Sequence, residues 1–141
     1  MIPYLDTSAL AAYYCPEPLS EVVQAEMRRA RDVVISPLTE VEFCSAIGLK
    51  TRTGELDLAS ARRVLSVFRV HCGEGKYRMV AIGPTQYAMA CEWLSPFATP
   101  LRALDALHLA VAASNDLEIV TADAGLARCA KDLGVKHRLL S

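Results

Sequence analysis

Short apolar stretches alternate along the chain with longer segments in which apolar residues recur every three or four positions. The short stretches predict strands at residues 2–5, 33–36, 77–82 and 117–121, and the sequence allows a fifth at 135–139. The longer segments predict helices at about 7–14, 20–31, 38–51, 58–72, 84–94, 101–114 and 123–133. Regular strand–helix alternation indicates an α/β fold, a three-layer α/β/α sandwich around a mainly parallel sheet of four or five strands.

Length and composition support a globular chain. The chain has 141 residues, of which 52% are hydrophobic and 22% charged, so we expect a single domain over residues 1–141. No apolar stretch approaches the roughly 20 residues that span a bilayer. The chain starts directly with an apparent core strand, without a leader pattern. We therefore expect a cytoplasmic protein without membrane association.

The cysteine spacing and the net charge exclude only a few classes of function. Five cysteines at irregular spacing form no C-x-x-C pair, so neither a zinc site nor a thiol redox motif is indicated. Cys44, Cys91 and Cys129 lie among helical apolar residues and are predicted to be core residues. The net charge of −1 lacks the basic excess of many nucleic-acid binders. Basic residues nevertheless cluster at 28–31, 50–52, 62–63 and 136–138, which allows a local basic surface or simply solvated helix faces.

Asp105 is the only acidic residue in the apolar helical run from Leu101 to Ala113. Such a run predicts a buried helix, and an isolated buried carboxylate costs on the order of several kcal/mol. Asp105 must therefore be neutral, paired or bound to a cation. Arg102 lies three positions away and offers one pairing.

Three other acids are candidates for the same site. Asp6 directly follows the first predicted strand, and Asp123 lies two residues beyond the end of another. In open α/β sheets, ligands bind beyond the carboxyl ends of the strands. Each of the two aspartates is also a suitable helix N-cap, although Thr7 and the next serine can serve in place of Asp6. Glu42 lies on a small, partly hydroxylated helix face, which makes it a better candidate than Glu40.

Together these acids predict a carboxylate cluster. Carboxylates packed together raise one another's pKa, so a stable cluster implies cations. All-oxygen ligation suits Mg²⁺ or Mn²⁺ rather than zinc. His108 is one helical turn from Asp105, a spacing also found in di-iron sites, but no second such pair exists. We therefore predict that His108 packs in the core beside the site.

Four segments resemble the motifs of PIN-domain ribonucleases, most closely the VapC-type toxins of prokaryotic toxin–antitoxin pairs. They are Tyr4-Leu-Asp-Thr-Ser-Ala9, Ser36-Pro-Leu-Thr-Glu-Val-Glu42, Leu101-Arg-Ala-Leu-Asp-Ala-Leu-His-Leu-Ala110 and Val120-Thr-Ala-Asp123. The resemblance runs nearly from end to end and implies a PIN-like fold. It implies catalytic acids at Asp6, Glu42, Asp105 and Asp123, with a supporting hydroxyl at Ser8 or Thr121.

The resemblance also implies that the chain is a hydrolase that cleaves RNA with Mg²⁺ or Mn²⁺ as cofactor. Asp6, Asp105 and Asp123 would hold metal, with Glu42 binding through water or orienting the nucleophile, and the products would carry 5′-phosphate and 3′-hydroxyl ends. The implied partners are an RNA substrate, a cognate antitoxin and a second copy of the chain in a homodimer. The RNA-binding residues stay unassigned. As a toxin, the protein would inhibit translation.

Two alternatives stay open. The first is a PIN-like module that binds RNA or protein without cleaving; four filled acidic positions argue against it. The second is a metal-dependent phosphatase or receiver domain in which the first acid is the nucleophile or phosphoacceptor. No lysine closely follows a predicted strand end, as such a site requires. The sequence also lacks the glycine-rich phosphate loops and the G-x-S-x-G nucleophile turn.

Overall fold

A computed structural model describes all residues, 1–141, and contains five strands and seven helices. The strands are β1 (Pro3–Leu5), β2 (Val34–Ile35), β3 (Arg78–Met79), β4 (Glu118–Thr121) and β5 (His137–Leu139). The helices are α1 (Thr7–Tyr14), α2 (Ser20–Arg29), α3 (Pro37–Arg52), α4 (Leu58–Gly73), α5 (Pro84–Leu94), α6 (Ala103–Ser114) and α7 (Ala124–Asp132). None of the helices has the length and apolar character needed to cross a bilayer.

The five strands form one sheet in the order β3-β2-β1-β4-β5, and every neighbouring pair is parallel. The fifth strand, which the sequence allowed but did not require, is present and pairs with β4, with Thr121 opposite Leu139. Gly134 has a φ of +70°, which glycine adopts without strain, and it turns the chain from α7 towards β5.

Alternate strand residues enter two separate cores, one on each face of the sheet. Leu5 of β1 and Phe43 of α3 belong to the core that α1 to α4 cover. Tyr4, the neighbour of Leu5, belongs to the core that α5, α6 and α7 cover. This period-2 alternation is typical of a sheet buried on both sides. The predicted α/β/α sandwich is confirmed.

Several boundaries and exposures differ from the sequence prediction. The segment 77–82 forms only a two-residue edge strand, and its residues Arg78 and Met79 are exposed. The prediction of three core cysteines is wrong for Cys44 and Cys91, whose side chains are exposed on α3 and α5, whereas Cys129 is buried. Apolar neighbours in sequence do not determine which side of a helix faces the sheet.

The strand order reverses between β1 and β4. The chain proceeds outward from β1 through β2 to β3 and then crosses over to β4 on the other side of β1. In a parallel sheet this reversal opens a crevice beyond the carboxyl ends of the two central strands. Asp6 follows β1 and Ala122 follows β4, so both loops meet at this crevice.

The aromatic cluster beneath α4 generates a stability prediction. Phe68 is 1% exposed, and its ring centroid lies 4.7 Å from that of Phe43 and 5.6 Å from that of Tyr14. We expect Phe68→Ala to lower the free energy of unfolding by about 3–5 kcal/mol, because it removes buried apolar area and leaves a cavity. Chemical denaturation measures this. The control Val70→Ala, on the solvent side of the same helix, should change it by less than about 0.5 kcal/mol. Equal effects of the two substitutions would contradict the assigned packing.

Candidate active site

The four predicted acids lie at the carboxyl edge of the sheet. Asp6 follows β1 and caps α1, and Asp123 follows β4 and caps α7. Asp105 lies in the first turn of α6, and Glu42 lies near the start of α3. The negative charges of the other three acids all raise the pKa of Asp105, with Asp123 contributing most among them. The fold therefore brings the four carboxylates into one electrostatic cluster.

Asp6 is 4% exposed and is held by three donors. Its Oδ1 accepts hydrogen bonds from the hydroxyl of Ser8 at 2.7 Å and the backbone N–H of Ala9 at 3.0 Å, and its Oδ2 accepts from Thr121 Oγ1 at 2.6 Å. Burial raises the pKa of Asp6, and these hydrogen bonds partly oppose the rise. The bond to Ala9 makes Asp6 itself the N-cap of α1. The sequence argument that other residues free Asp6 from this role is corrected: one carboxylate caps the helix and lies in the site.

Ser8 and Thr121 connect the loops that carry Asp6 and Asp123. Their hydroxyl oxygens lie 3.2 Å apart. The backbone N–H of Ala122 donates to Ser8 Oγ at 2.9 Å, and that of Asp123 donates to Thr121 Oγ1 at 2.9 Å. Both predicted supporting hydroxyls thus contact Asp6 and also fix the path of the chain towards Asp123.

Glu42 accepts two hydrogen bonds on one oxygen. Its Oε1 lies 2.9 Å from the donating hydroxyl of Thr7 and also contacts Nε2 of His108. Burial tends to raise the pKa of Glu42, but His108 and Thr7 outweigh it and hold the pKa below its ordinary value. The other oxygen, Oε2, takes no part in these bonds. By contrast, Glu40 is exposed.

His108 is 2% exposed and is hydrogen bonded at both ring nitrogens. Nε2 contacts Glu42, and Nδ1 lies 2.6 Å from the hydroxyl of Tyr4. That hydroxyl lies 2.8 Å from Ser36 Oγ. The prediction that His108 packs in the core beside the site is confirmed, whereas sequence reasoning missed Tyr4 and Ser36. A signal existed, since a tyrosine in an otherwise apolar core strand needs a partner for its hydroxyl.

Asp105 differs from the other acids because its carboxylate accepts none of the hydrogen bonds that hold Asp6, Glu42 and Asp123. It forms no ion pair, and Arg102, the alternative partner, is exposed and forms none either. Burial raises the pKa of Asp105 most, followed by the neighbouring carboxylates, with His108 acting in the opposite direction. The expectation of a deeply buried carboxylate is corrected: Asp105 is half-buried in the first turn of α6, and the fully buried run starts at Ala106.

Asp123 is exposed and acts as a helix N-cap. Its Oδ1 accepts from the backbone N–H groups of Gly125 at 2.8 Å and Leu126 at 3.2 Å. A Cβ at Gly125 would lie 3.2 Å from the same oxygen, so a side chain there would crowd the carboxylate. Oδ2 accepts no hydrogen bond from these backbone N–H groups. The N-cap interpretation is therefore correct, and it leaves one oxygen available.

The donor set fits a hard cation in its chemistry but does not form a preassembled site. No group of three or more histidine, cysteine, aspartate or glutamate side chains lies close enough to ligate one ion. The four acids nevertheless supply only oxygen, and Asp105 lacks a protein partner. These features suit Mg²⁺ or Mn²⁺ rather than zinc. Asp6, Asp105 and Asp123 are the residues that could hold such an ion.

A cleft runs from the acids across the surface of α3. Glu42 and Asp105 line it together with Arg102 and Leu104. An adjoining cavity shares Glu42 and Leu104 with it and is lined also by Thr7, by Arg52 and by four apolar or small side chains. Two exposed arginines therefore flank the acidic edge, and neither forms an ion pair.

Comparisons with known proteins agree with the fold. Residues 4–132 match the family model described as PIN domain. Among solved structures, FitAcB from Neisseria gonorrhoeae superposes with a TM-score of 0.69, at 20% identity over 96% of each chain. VapC20 from Mycobacterium tuberculosis, described as a sarcin–ricin loop cleaving toxin, gives a TM-score of 0.70 at 17% identity over 89% of this chain and 93% of that chain. VapBC2 from Rickettsia felis, bound to a promoter DNA fragment, gives 0.70 at 12% identity over 100% of both chains. Curated protein sequences give no significant match.

The isolated charge of Asp105 generates a prediction about stability and pH. Its raised pKa means that the ionised carboxylate destabilises the fold above that pKa and that this cost disappears below the ordinary carboxyl range. In EDTA at pH 7, we expect Asp105→Asn to be more stable than the parent by up to about 1 kcal/mol. The gain should shrink as the pH falls towards 4. Denaturant melts over this pH range measure it.

Glu40→Gln is the matched control, because Glu40 is exposed. Its effect on stability should be small at every pH. If Asp105 instead served mainly to stabilise the positive end of the α6 dipole, Asp105→Asn would be less stable at pH 7, and that outcome would contradict the repulsion argument.

Proposed function

The chain belongs to the PIN domain family, and from this premise we propose that it is a divalent-metal-dependent endoribonuclease and the toxin of a toxin–antitoxin pair. The observation that carries the proposal is Asp105, a half-buried carboxylate without a protein partner, facing three further acids where the strand order reverses. Folding such a group against like charges is costly unless a cation compensates for it. The family match supports nuclease chemistry at that place.

The proposed metal ligands are Asp6, Asp105 and Asp123. Asp6 is rigid, since three donors orient it, and its Oδ2, which accepts one hydrogen bond, can still accept a further interaction. Asp105 and Asp123 approach from different helix ends and have more freedom to adjust. When bound there, Mg²⁺ or Mn²⁺ supplies a water of lowered pKa and neutralises charge on the phosphate.

Glu42 is proposed to orient the attacking water. Its Oε1 is occupied by His108 and Thr7, so Oε2 is the atom that can accept the hydrogen bond and then the proton of that water. The products would be a 5′-phosphate and a 3′-hydroxyl. In this scheme Ser8 and Thr121 act only by holding Asp6 and the loop of Asp123 in place.

Arg52 and Arg102 are the proposed phosphate-binding side chains, since they flank the acids and have no acidic partner. Several other basic residues are already neutralised: Lys50 pairs with Glu17, Lys136 with Asp116, and Arg138 with Glu26 and Glu118. Backbone contacts of this kind would make RNA binding weaken as the salt concentration rises.

The proposed target is structured RNA of the translation machinery, and the proposed outcome is inhibition of translation. VapC20 supports this, because it is described as cleaving the sarcin–ricin loop. The proposed partner is a cognate antitoxin, which the structures of toxin–antitoxin and VapBC complexes with this fold support. A homodimer is also proposed. The side chains of Val41, Leu49 and Leu104 beside the cleft are exposed and apolar, so they are suitable for contacts with a partner protein.

The phosphatase or receiver alternative receives no support from the site. Its phosphoacceptor would be Asp6, and such a site also requires a lysine, but no lysine lines the cavities beside the acids. The following two experiments distinguish the proposed nuclease from a non-catalytic PIN domain.

The first experiment measures cleavage of an RNA fragment that contains the sarcin–ricin loop, and of a tRNA, with Mg²⁺ or Mn²⁺. We expect cleavage by the parent protein, loss in EDTA, and a decrease of about 100-fold or more in Asp105→Asn, because a ligand of the metal that would stabilise transition-state charge is lost. Glu40→Gln should cleave like the parent. Full activity in EDTA or in Asp105→Asn would overturn the metal mechanism.

The second experiment measures thermal unfolding with increasing Mn²⁺. A ligand that binds only the folded state at 100 times its Kd adds about 2.7 kcal/mol to the free energy of unfolding. We expect the Tm of the parent and of Glu40→Gln to rise, and that of Asp105→Asn to rise much less. A rise in Tm without any cleavage would favour the binding module, and no rise in the parent would refute the metal site.

A further inference from the structure

A buried chain of polar side chains leads from the core to Glu42. It runs from Ser36 through Tyr4 and His108 to the carboxylate. The first three residues are 0–2% exposed, and they come from the loop after β2, from β1 and from α6. We call these three residues and Glu42 the Tyr4–His108 relay.

The hydrogen-bonding capacities of the groups give the relay a direction. An ionised carboxylate only accepts, so Nε2 of His108 donates its proton to Glu42 Oε1. In a neutral ring Nδ1 then accepts, and the phenol of Tyr4 donates to it across 2.6 Å. Tyr4 can in turn accept from the Ser36 hydroxyl, 2.8 Å away. Each polar atom is satisfied when the ring proton is on Nε2.

This arrangement does more than satisfy a buried histidine. A polar core residue needs only a nearby carbonyl, yet His108 reaches across to α3 and ends on a site acid. It occupies Oε1 together with Thr7, which leaves Oε2 as the oxygen without such a donor. The ring lies within a run of α6 in which every other buried residue is apolar, from Ala106 to Ala112. Its orientation is therefore set by its two hydrogen bonds and by close packing.

We propose that Tyr4 and His108 are positioning residues for the nuclease reaction: Tyr4 holds the ring of His108 through Nδ1 in the tautomer that donates to Glu42, and His108 fixes the carboxylate so that Oε2 faces the substrate. This inference rests on the proposed function. It assigns no contact with substrate to Tyr4 or His108, so their substitution should act on kcat through Glu42. Groups that orient a catalytic carboxylate in this way typically contribute 10- to 100-fold.

The test compares Tyr4→Phe, His108→Leu and His108→Gln in the full-length protein. Tyr4→Phe removes a single oxygen, and His108→Gln retains an N–H donor for Glu42. We expect the first two to lower kcat by about 10- to 100-fold with KM within about twofold, and His108→Gln to recover part of the loss. In a Glu42→Gln background, none of the three should lower kcat further. Unchanged kcat, or losses that add to that of Glu42→Gln, would overturn the relay.

The control is Tyr77→Phe. Tyr77 is a buried tyrosine of the other core, and its hydroxyl lies 2.5 Å from that of Tyr14. This substitution removes a comparable buried hydrogen bond at a distance from the acids. It should lower stability and leave kcat unchanged. If it lowers kcat as much as Tyr4→Phe does, loss of core stability explains both and the relay is refuted.

NMR tests the relay without any measurement of RNA cleavage. The ¹⁵N NMR spectrum of the His108 ring reports which nitrogen carries the proton. We expect the proton on Nε2 in the parent, and in Tyr4→Phe a changed Nδ1 chemical shift because the donor to Nδ1 is lost. A parent ring with bare Nε2 would refute the relay even if the enzyme is active. If the parent shows the expected tautomer but cleaves no RNA in Mn²⁺, the proposed function fails while the hydrogen-bond assignment stands.

Discussion

The rest of the structure depends on one electrostatic constraint: four carboxylates share the carboxyl edge of a parallel sheet whose core lies directly beneath them. The topology creates the constraint, because β1 and β4 are adjacent and Asp6 and Asp123 follow them. The packing of α3 and α6 adds Glu42 and Asp105. Repulsion between these groups opposes folding, and each carboxylate must gain compensating interactions or retain its cost.

The fold compensates three of the acids with hydrogen-bond donors. Asp6 and Asp123 accept backbone N–H groups at helix starts, where the helix dipole also favours negative charge. Glu42 accepts from Thr7 and His108. Asp105 alone receives no such donor, although it lies in the first turn of a helix. Because Asp105 lacks a donor, its charge lowers the stability of the free protein more than the charges of the other acids do. A bound cation would therefore stabilise Asp105 most, which links the stability of the fold to its proposed chemistry.

The sequence predicted the sheet, both helical layers and the position of the four acids near one edge of the sheet, because strand–helix alternation and strand-end positions are local features of the chain. It did not reach the features that depend on tertiary contacts. The neighbours of Tyr4 in sequence give no hint of His108, which lies 104 residues away. The depth of Asp105 was overestimated because the apolar run was taken as helical from Leu101, whereas α6 begins at Ala103 and leaves Asp105 in its first turn. The exposure of Cys44 was likewise not predicted, because it depends on which face of α3 packs against the sheet.

The central claim is that this acidic edge binds a divalent cation between Asp6, Asp105 and Asp123. The most direct measurement is the anomalous difference density of crystals grown with Mn²⁺, compared with crystals of Asp105→Asn grown in the same way. The account predicts a peak in contact with Asp105 and Asp6 in the parent, and its loss or marked weakening in the variant. A parent crystal with no peak at this edge, or a peak of equal height in Asp105→Asn, would contradict it.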